Sequence, residues 1–115
     1  MAKTKTELAT TVLRTLGIVG AVDSPSAADS AFVVQEYENA LPYWGDLGLV
    51  YWPADEIPEA VYSMLVTLVA NRSMNAFGIA QSFDDMLKRE DKLLVPLRRH
   101  LARKPSGFPT RSTYY

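Results

Sequence analysis

His100 is the one histidine of the chain and stands in Arg98-Arg99-His100, where an imidazole can act as a general base only if a nucleophile meets it in space. Its neighbours are bases, which reads instead as a solvated polar position on a basic helix. The carboxylate pairs Asp84-Asp85 and Glu90-Asp91 are adjacent in the chain and so point to different sides of a helix, whereas an acid and a base acting on one bond must converge. They read as helix-start charges and a solvated face. The glycines occur singly, which leaves no phosphate-cradling loop, and neither a G-x-S-x-G nor an H-E-x-x-H sequence occurs. With no cysteine and a single histidine, the usual zinc constellations are excluded. The expectation is a protein that is not an enzyme, with no metal, cofactor or small-molecule substrate.

Two features keep chemical content. From Lys88 to Arg111 there are eight bases against Glu90 and Asp91, a surface able to lie on phosphates or to pair with acids of a neighbouring copy. Arg98, Arg99 and Arg103 are its candidate centre. The second feature runs from Lys104 to Tyr115, where Pro105, Gly107 and Pro109 forbid a continuous helix and predict an extended arm. Aromatic side chains on such an arm carry apolar area best covered by a partner, in a groove or at a sheet edge. Lys104, Phe108, Pro109, Arg111, Tyr114 and Tyr115 are the candidate partner-binding residues.

The elements that must position these residues are helices. Glu56 to Gly78 is apolar over most of its girth: Ile57, Val61, Met64, Leu65, Leu68 and Val69 recur at helical spacing beside Tyr62, Val66 and Ala70. It predicts a central helix, with Asp55 as its N-cap and a thin polar row of Glu59, Ser63, Thr67 and Asn71 where another helix can come close. Thr4 and Glu7 have capping-box spacing and predict a first helix, with Leu8, Val12, Leu13 and Leu16 inward and Gly17 ending it. Ser26 and Asp29 predict the start of a second helix burying Val33, Tyr37, Ala40, Leu41, Trp44 and Leu47, with Pro42 either kinking or ending it. Leu49 to Trp52 reads as a connector whose aromatics lid the core. Ser82 and Asp85 predict the start of a fourth helix, with Phe83, Met86, Leu87, Leu94, Leu97 and Leu101 inward and a kink or break at Pro96.

At 115 residues and 48% hydrophobic content the chain fits one domain able to bury a core. The longest apolar run, Ala60 to Ala70, is far short of the roughly 20 residues of a membrane span. The first residues have no signal-peptide character, so a soluble, unprocessed, intracellular protein is expected. The fold class predicted is all-α, a bundle of four to five short helices around a central one over 1–103, with the arm over 104–115. A net charge of −1 hides a division: residues 1–57 carry three bases and eight acids, residues 58–115 nine bases and five acids. Such a split suits either nucleic acid at one end or copies that meet through unlike surfaces.

The order ELATTVLRTLGIVG, SPSAADSAFVVQEYENAL, DEIPEAVYSMLVTLVANRSMNAFG and a basic last helix running into PSGFPTRSTYY resembles the small head-to-tail connector proteins of tailed bacteriophages, the adaptor or head-completion group that stabilises packaged DNA. The resemblance covers most of the chain, including the acid-Pro entry to the central helix, its Ala76-Phe77-Gly78 exit and the closing aromatic pair. It implies a structural virion protein of the neck, made in the host cytoplasm. Such proteins form rings, commonly of twelve subunits, dock on the portal, meet tail or neck proteins, extend the DNA channel and help retain the genome. Packaged DNA would pass without sequence-specific contact, and no membrane is involved. The portal-docking role would fall to 104–115. The alternative reading of the residues is a small helical DNA-binding protein using the basic last helix.

Overall fold

Thr4 begins the fold. Its hydroxyl accepts the Glu7 N–H at 3.1 Å while the Glu7 carboxylate accepts the Thr4 N–H at 3.0 Å, so the capping box satisfies two backbone donors of the first turn. The computed structural model describes residues 2–20 and 23–103. Four α-helices follow in order: α1 (Lys5–Thr15), α2 (Ala27–Asp46), α3 (Glu59–Ser73) and α4 (Phe83–Arg103), with a 3₁₀ turn (Asn75–Phe77) after α3. The protein is an all-α bundle, and α2 and α4, of 20 and 21 residues, are long rather than short.

α1 ends where Gly17 takes φ +78°. The Gly17 N–H donates to Arg14 O and the Ile18 N–H to Leu13 O, the paired bonds of a Schellman ending, which a left-handed residue makes available. One stripe of α1, Leu8, Ala9, Val12 and Leu13, is fully buried, each valine or leucine contributing about 1.5–3 kcal/mol of transfer free energy. Tyr62 of α3 fastens that stripe: its hydroxyl donates to Glu7 O at 2.9 Å and lies 2.6 Å from Thr11 Oγ1.

The expected entry to the central helix is displaced. Asp55 does not cap α3; its Oδ1 accepts the backbone N–H of Lys5 at 2.9 Å, fifty positions away, and so serves the N-terminus of α1. α3 starts at Glu59 after Pro58, which has no capping side chain. The cause is Ile57, which is buried and bonded both ways to Lys3 at 2.8 Å. This isolated bridge commits the backbone N–H and C=O of Ile57 to Lys3 after the turn at Ala54 and Asp55, so the helix cannot begin before it.

α3 is the core's axis. Val61, Leu65, Leu68 and Val69 are buried, and α1, α2 and α4 all pack on it, while among the described residues the backbone of α4 comes close to no other α-helix. α1 and α2 also pack on each other, so they form one side of the molecule and α4 the other. α2 contributes Val33, Tyr37, Ala40 and Trp44, all fully buried; Leu41 is only half-buried and Leu47 is exposed. Between α2 and α3 the connector lids the core as expected. Trp52 is buried, its indole N–H donates to the Tyr37 hydroxyl at 3.1 Å, and that hydroxyl donates to Ala54 O at 2.9 Å.

Both prolines lie within continuous helices. Pro42 and Pro96 are exposed, so the carbonyl four residues before each, Glu38 O or Lys92 O, is on the water side, where its lost ladder bond is replaced by hydration. Ser82 accepts the Asp85 N–H at 3.0 Å and starts α4 as its spacing predicts. The expected inner side of α4 holds only in its later part. Leu94 and Leu97 are buried and Leu101 is half-buried, but Phe83 is 69% exposed and Leu87 41%.

Candidate interaction surface

α4 has two faces of opposite character. The inward one includes Glu90, 2% exposed, which corrects the expectation that this carboxylate is solvated. Arg72 of α3 meets it with both arms of its fork, Nε to Oε1 at 2.6 Å and Nη2 to Oε2 at 2.9 Å. The same guanidinium lies over the rings of Tyr43 and Trp44, 5.9 and 5.4 Å from their centroids. One side chain therefore joins α2, α3 and α4 through a bidentate charge-assisted pair and two cation–π contacts. Asn71, the last member of the thin polar row, is also buried and donates to Met86 O of α4 at 3.0 Å, while Gln81 Nε2 donates to Asn71 O at 2.9 Å.

With Glu90 neutralised inside, the outward face of α4 is basic. Lys88, Lys92 and Arg99, with Arg103 in sequence, recur at i, i+4, i+11 and i+15, which about 100° per residue places within one stripe. Lys88 is paired with Asp84 at 3.2 Å, both well exposed, a contact worth little in water. From Lys92 to the end of α4 there are four bases and no acid, favourable beside the negative end of the helix dipole. Arg98 and Arg99 are both exposed but stand about 100° apart, so they do not face one partner together. Arg103 is the final residue of α4. Lys104, Phe108, Pro109, Arg111, Tyr114 and Tyr115 lie outside the described residues.

His100 is half-buried, not solvated. Its Nε2 is 3.0 Å from the Tyr51 hydroxyl and its ring is stacked on Tyr51 at 6.1 Å, so it ties α4 to the connector. Tyr51 in turn meets Trp52 edge-on at 5.0 Å. Burial raises the Tyr51 phenol above its usual value, keeping it a neutral hydrogen-bonding group.

The opposite side of the molecule is acidic. The chain up to Pro58 brings eight acids and three bases, and Lys5 is engaged there by Glu38 at 2.9 Å. That hydrogen bond, then the attraction of Glu38 and Asp55, raises the Lys5 ammonium above its usual pKa. α3 thus separates an acidic α1–α2 side from a basic α4 side. Comparison with protein-family models, curated proteins and solved structures returns no match. Among the described residues no cluster of three or more His, Asp or Glu side chains is placed to hold a metal, and no helix is long and apolar enough to cross a membrane.

Proposed function

We propose that this protein is a structural component of a bacteriophage neck, a ring-forming head-to-tail adaptor that docks on the portal, extends the DNA channel and helps retain packaged DNA in the virion. The reading starts from the sequence resemblance, and one observation on the fold supports it: acids and bases are sorted to opposite sides of α3. A closed ring of identical subunits repeats one heterologous contact between two unlike surfaces of the same chain. A molecule with an acidic and a basic side has such surfaces, and their complementarity sets orientation and encounter more than affinity. The portal contact belongs to 104–115.

The test is mass measurement with and without purified portal. A monomer that assembles into a ring, commonly of twelve copies, only on the portal is the expected result, and portal binding is lost when residues 104–115 are deleted. No association with portal, or undiminished association after the deletion, would refute the respective claim. The stripe of Lys88, Lys92, Arg99 and Arg103 supports a second reading, a small DNA-binding protein. Four such phosphate contacts would make log K fall with log salt at a slope of about −3.6. Absence of duplex binding at low salt, or binding untouched by alanine at Arg98, Arg99 and Arg103, excludes it.

A further inference from the structure

Phe83 is the most exposed large apolar side chain among the described residues. Leu87, one turn further along α4, is exposed on the same line, so the two form a ridge whose apolar area gains by leaving water. Asp84 and Asp91 are seven residues apart and both exposed, and they form a second line about 70° round the helix from that ridge. Lys88 pairs with Asp84, and Asp91 keeps the edge of the ridge acidic.

The matching hollow is on another flank of the same fold. Among the described residues the backbones of α1 and α4 come close to α3 but not to each other. The groove between them holds a cleft of about 240 Å³, room for one aromatic ring, whose lining includes Leu16 of α1, Thr67, Ala70 and Met74, and Leu93 of α4. Met74 suits it to a ring, since a thioether packs favourably at an aromatic edge. Arg89 joins the lining with its Nη1 3.4 Å from Met74 Sδ, which holds a positive charge at the edge of the hollow.

A subunit cannot fill its own hollow with Phe83. Leu93 is ten residues on, about 15 Å along a rigid helix, and Arg89 with Leu93 is turned about 120° from Phe83 with Leu87. The ring that enters therefore comes from another molecule. Charge selects a second copy in one orientation: an acid-edged ridge suits a base-edged hollow, whereas ridge against ridge brings carboxylates together. We propose that Phe83 of one copy of this chain enters the Leu16–Leu93 hollow of the next, with Leu87 on its rim and Asp91 towards Arg89. Because ridge and hollow lie on different flanks, the contact is heterologous and leaves each pair with one unused ridge and one unused hollow, so it repeats. One ring in one hollow falls well short of the area of a stable interface. Free chains consequently stay separate in dilute solution and meet through this contact when concentrated or held side by side. The contact rests on the ring-forming reading for its setting, and names the surfaces that such a ring would join.

The chain contains no cysteine, so Ser63→Cys, at an exposed position one turn before Thr67, takes a single nitroxide beside the hollow of the full-length protein. Mixed at millimolar concentration with isotopically labelled, nitroxide-free protein, it is expected to broaden the amide signals of Phe83, Asp84 and Leu87 in the nitroxide-free copy. Phe83→Ser in the isotopically labelled copy, or Thr67→Arg in the nitroxide copy, should abolish that broadening. Both positions are exposed, and the dispersion of the remaining signals checks that each variant is folded. Unperturbed signals from Phe83 to Leu87 would overturn the proposal. So would broadening that either variant leaves unchanged, or broadening centred on Thr67 and Leu93, which sets hollow against hollow. No portal enters the mixture, so a negative result leaves the neck assignment standing, and failure to bind portal leaves this contact standing.

Discussion

Replacing Arg72 with methionine tests the central claim about how the three layers are joined. Met keeps much of the apolar stem that lies over Tyr43 and Trp44 but removes the guanidinium, leaving the Glu90 carboxylate, whose side chain is 3% exposed, without its cation. Breaking a buried pair from one side costs about 3–5 kcal/mol. Because the Arg72 side chain is itself 23% exposed, water can partly re-solvate the site, and the lower end, about 3 kcal/mol, applies. That is a large share of the roughly 5–15 kcal/mol that stabilises a domain of this kind, and it lowers Tm by roughly 10 °C or more. Urea unfolding followed by circular dichroism gives the difference directly, provided the m-value is unchanged. The double variant Arg72→Met with Glu90→Leu should regain most of the loss, since an apolar pair of similar volume avoids desolvating charge. A single-variant cost below about 1 kcal/mol, or a double variant worse than both singles, would refute the reasoning.

Asp55→Ala leaves the Lys5 N–H without its acceptor and is expected to destabilise by about 1 kcal/mol through α1, with the amides of the first turn of α1 exchanging faster while those of α3 do not change; equal loss in α3 would restore Asp55 to the role its sequence position suggests. Gly17→Ala meets no atom within 4 Å of the added Cβ, so its cost is the left-handed backbone alone, about 1 kcal/mol by thermal unfolding, and a neutral result would contradict the Schellman ending. Tyr37 is the alkaline-sensitive core group: burial raises its phenol above 10.0, outweighing the opposite effect of the Trp52 hydrogen bond. A raised folded pKa means stability is complete below the unfolded value and is lost as pH climbs from about 10 towards the folded one. Tyr37→Phe therefore costs about 1–3 kcal/mol at neutral pH, as Trp52 and Ala54 lose their partner, yet it flattens the alkaline decline, to which the raised Lys5 ammonium still contributes. Parallel declines in the two proteins would refute that assignment.

What was legible in the chain was local. The pairs Thr4–Glu7, Ser26–Asp29 and Ser82–Asp85 cap the helices they announce, since a cap joins residues three apart and needs no tertiary information. Asp55 is a cap candidate by residue type and place, yet the isolated bridge from Lys3 to Ile57 holds it for another helix, a contact no local pattern encodes. Phe83 and Leu87 fall on the inward arc of α4 by periodicity, but periodicity does not say how far a neighbouring helix extends. Glu90 was hidden for a related reason: a carboxylate next to Asp91 resembles a wet face until Arg72, eighteen residues earlier, is brought opposite. That Arg72 follows the apolar row Leu65, Leu68, Val69 on the same side of the central helix was the signal for such a pair. On the interaction surface, the basic character of the last helix was visible, whereas its division into a stripe with Arg99 and a separate Arg98 required the helix phase.

The single-sided attachment of α4 also bears on how the molecule comes apart. Protection against amide hydrogen exchange is lowest in units that can open without disturbing the rest. α4 is such a unit, joined to the bundle by one helix face, the Arg72–Glu90 pair, the bonds at Asn71 and Gln81, and the Tyr51–His100 contact. Lifting it uncovers Leu94 and Leu97 and strands one charge on each side in a single event, while the α1–α2–α3 contacts persist. The basic face thus rides on a helix that is fastened to the bundle from one side.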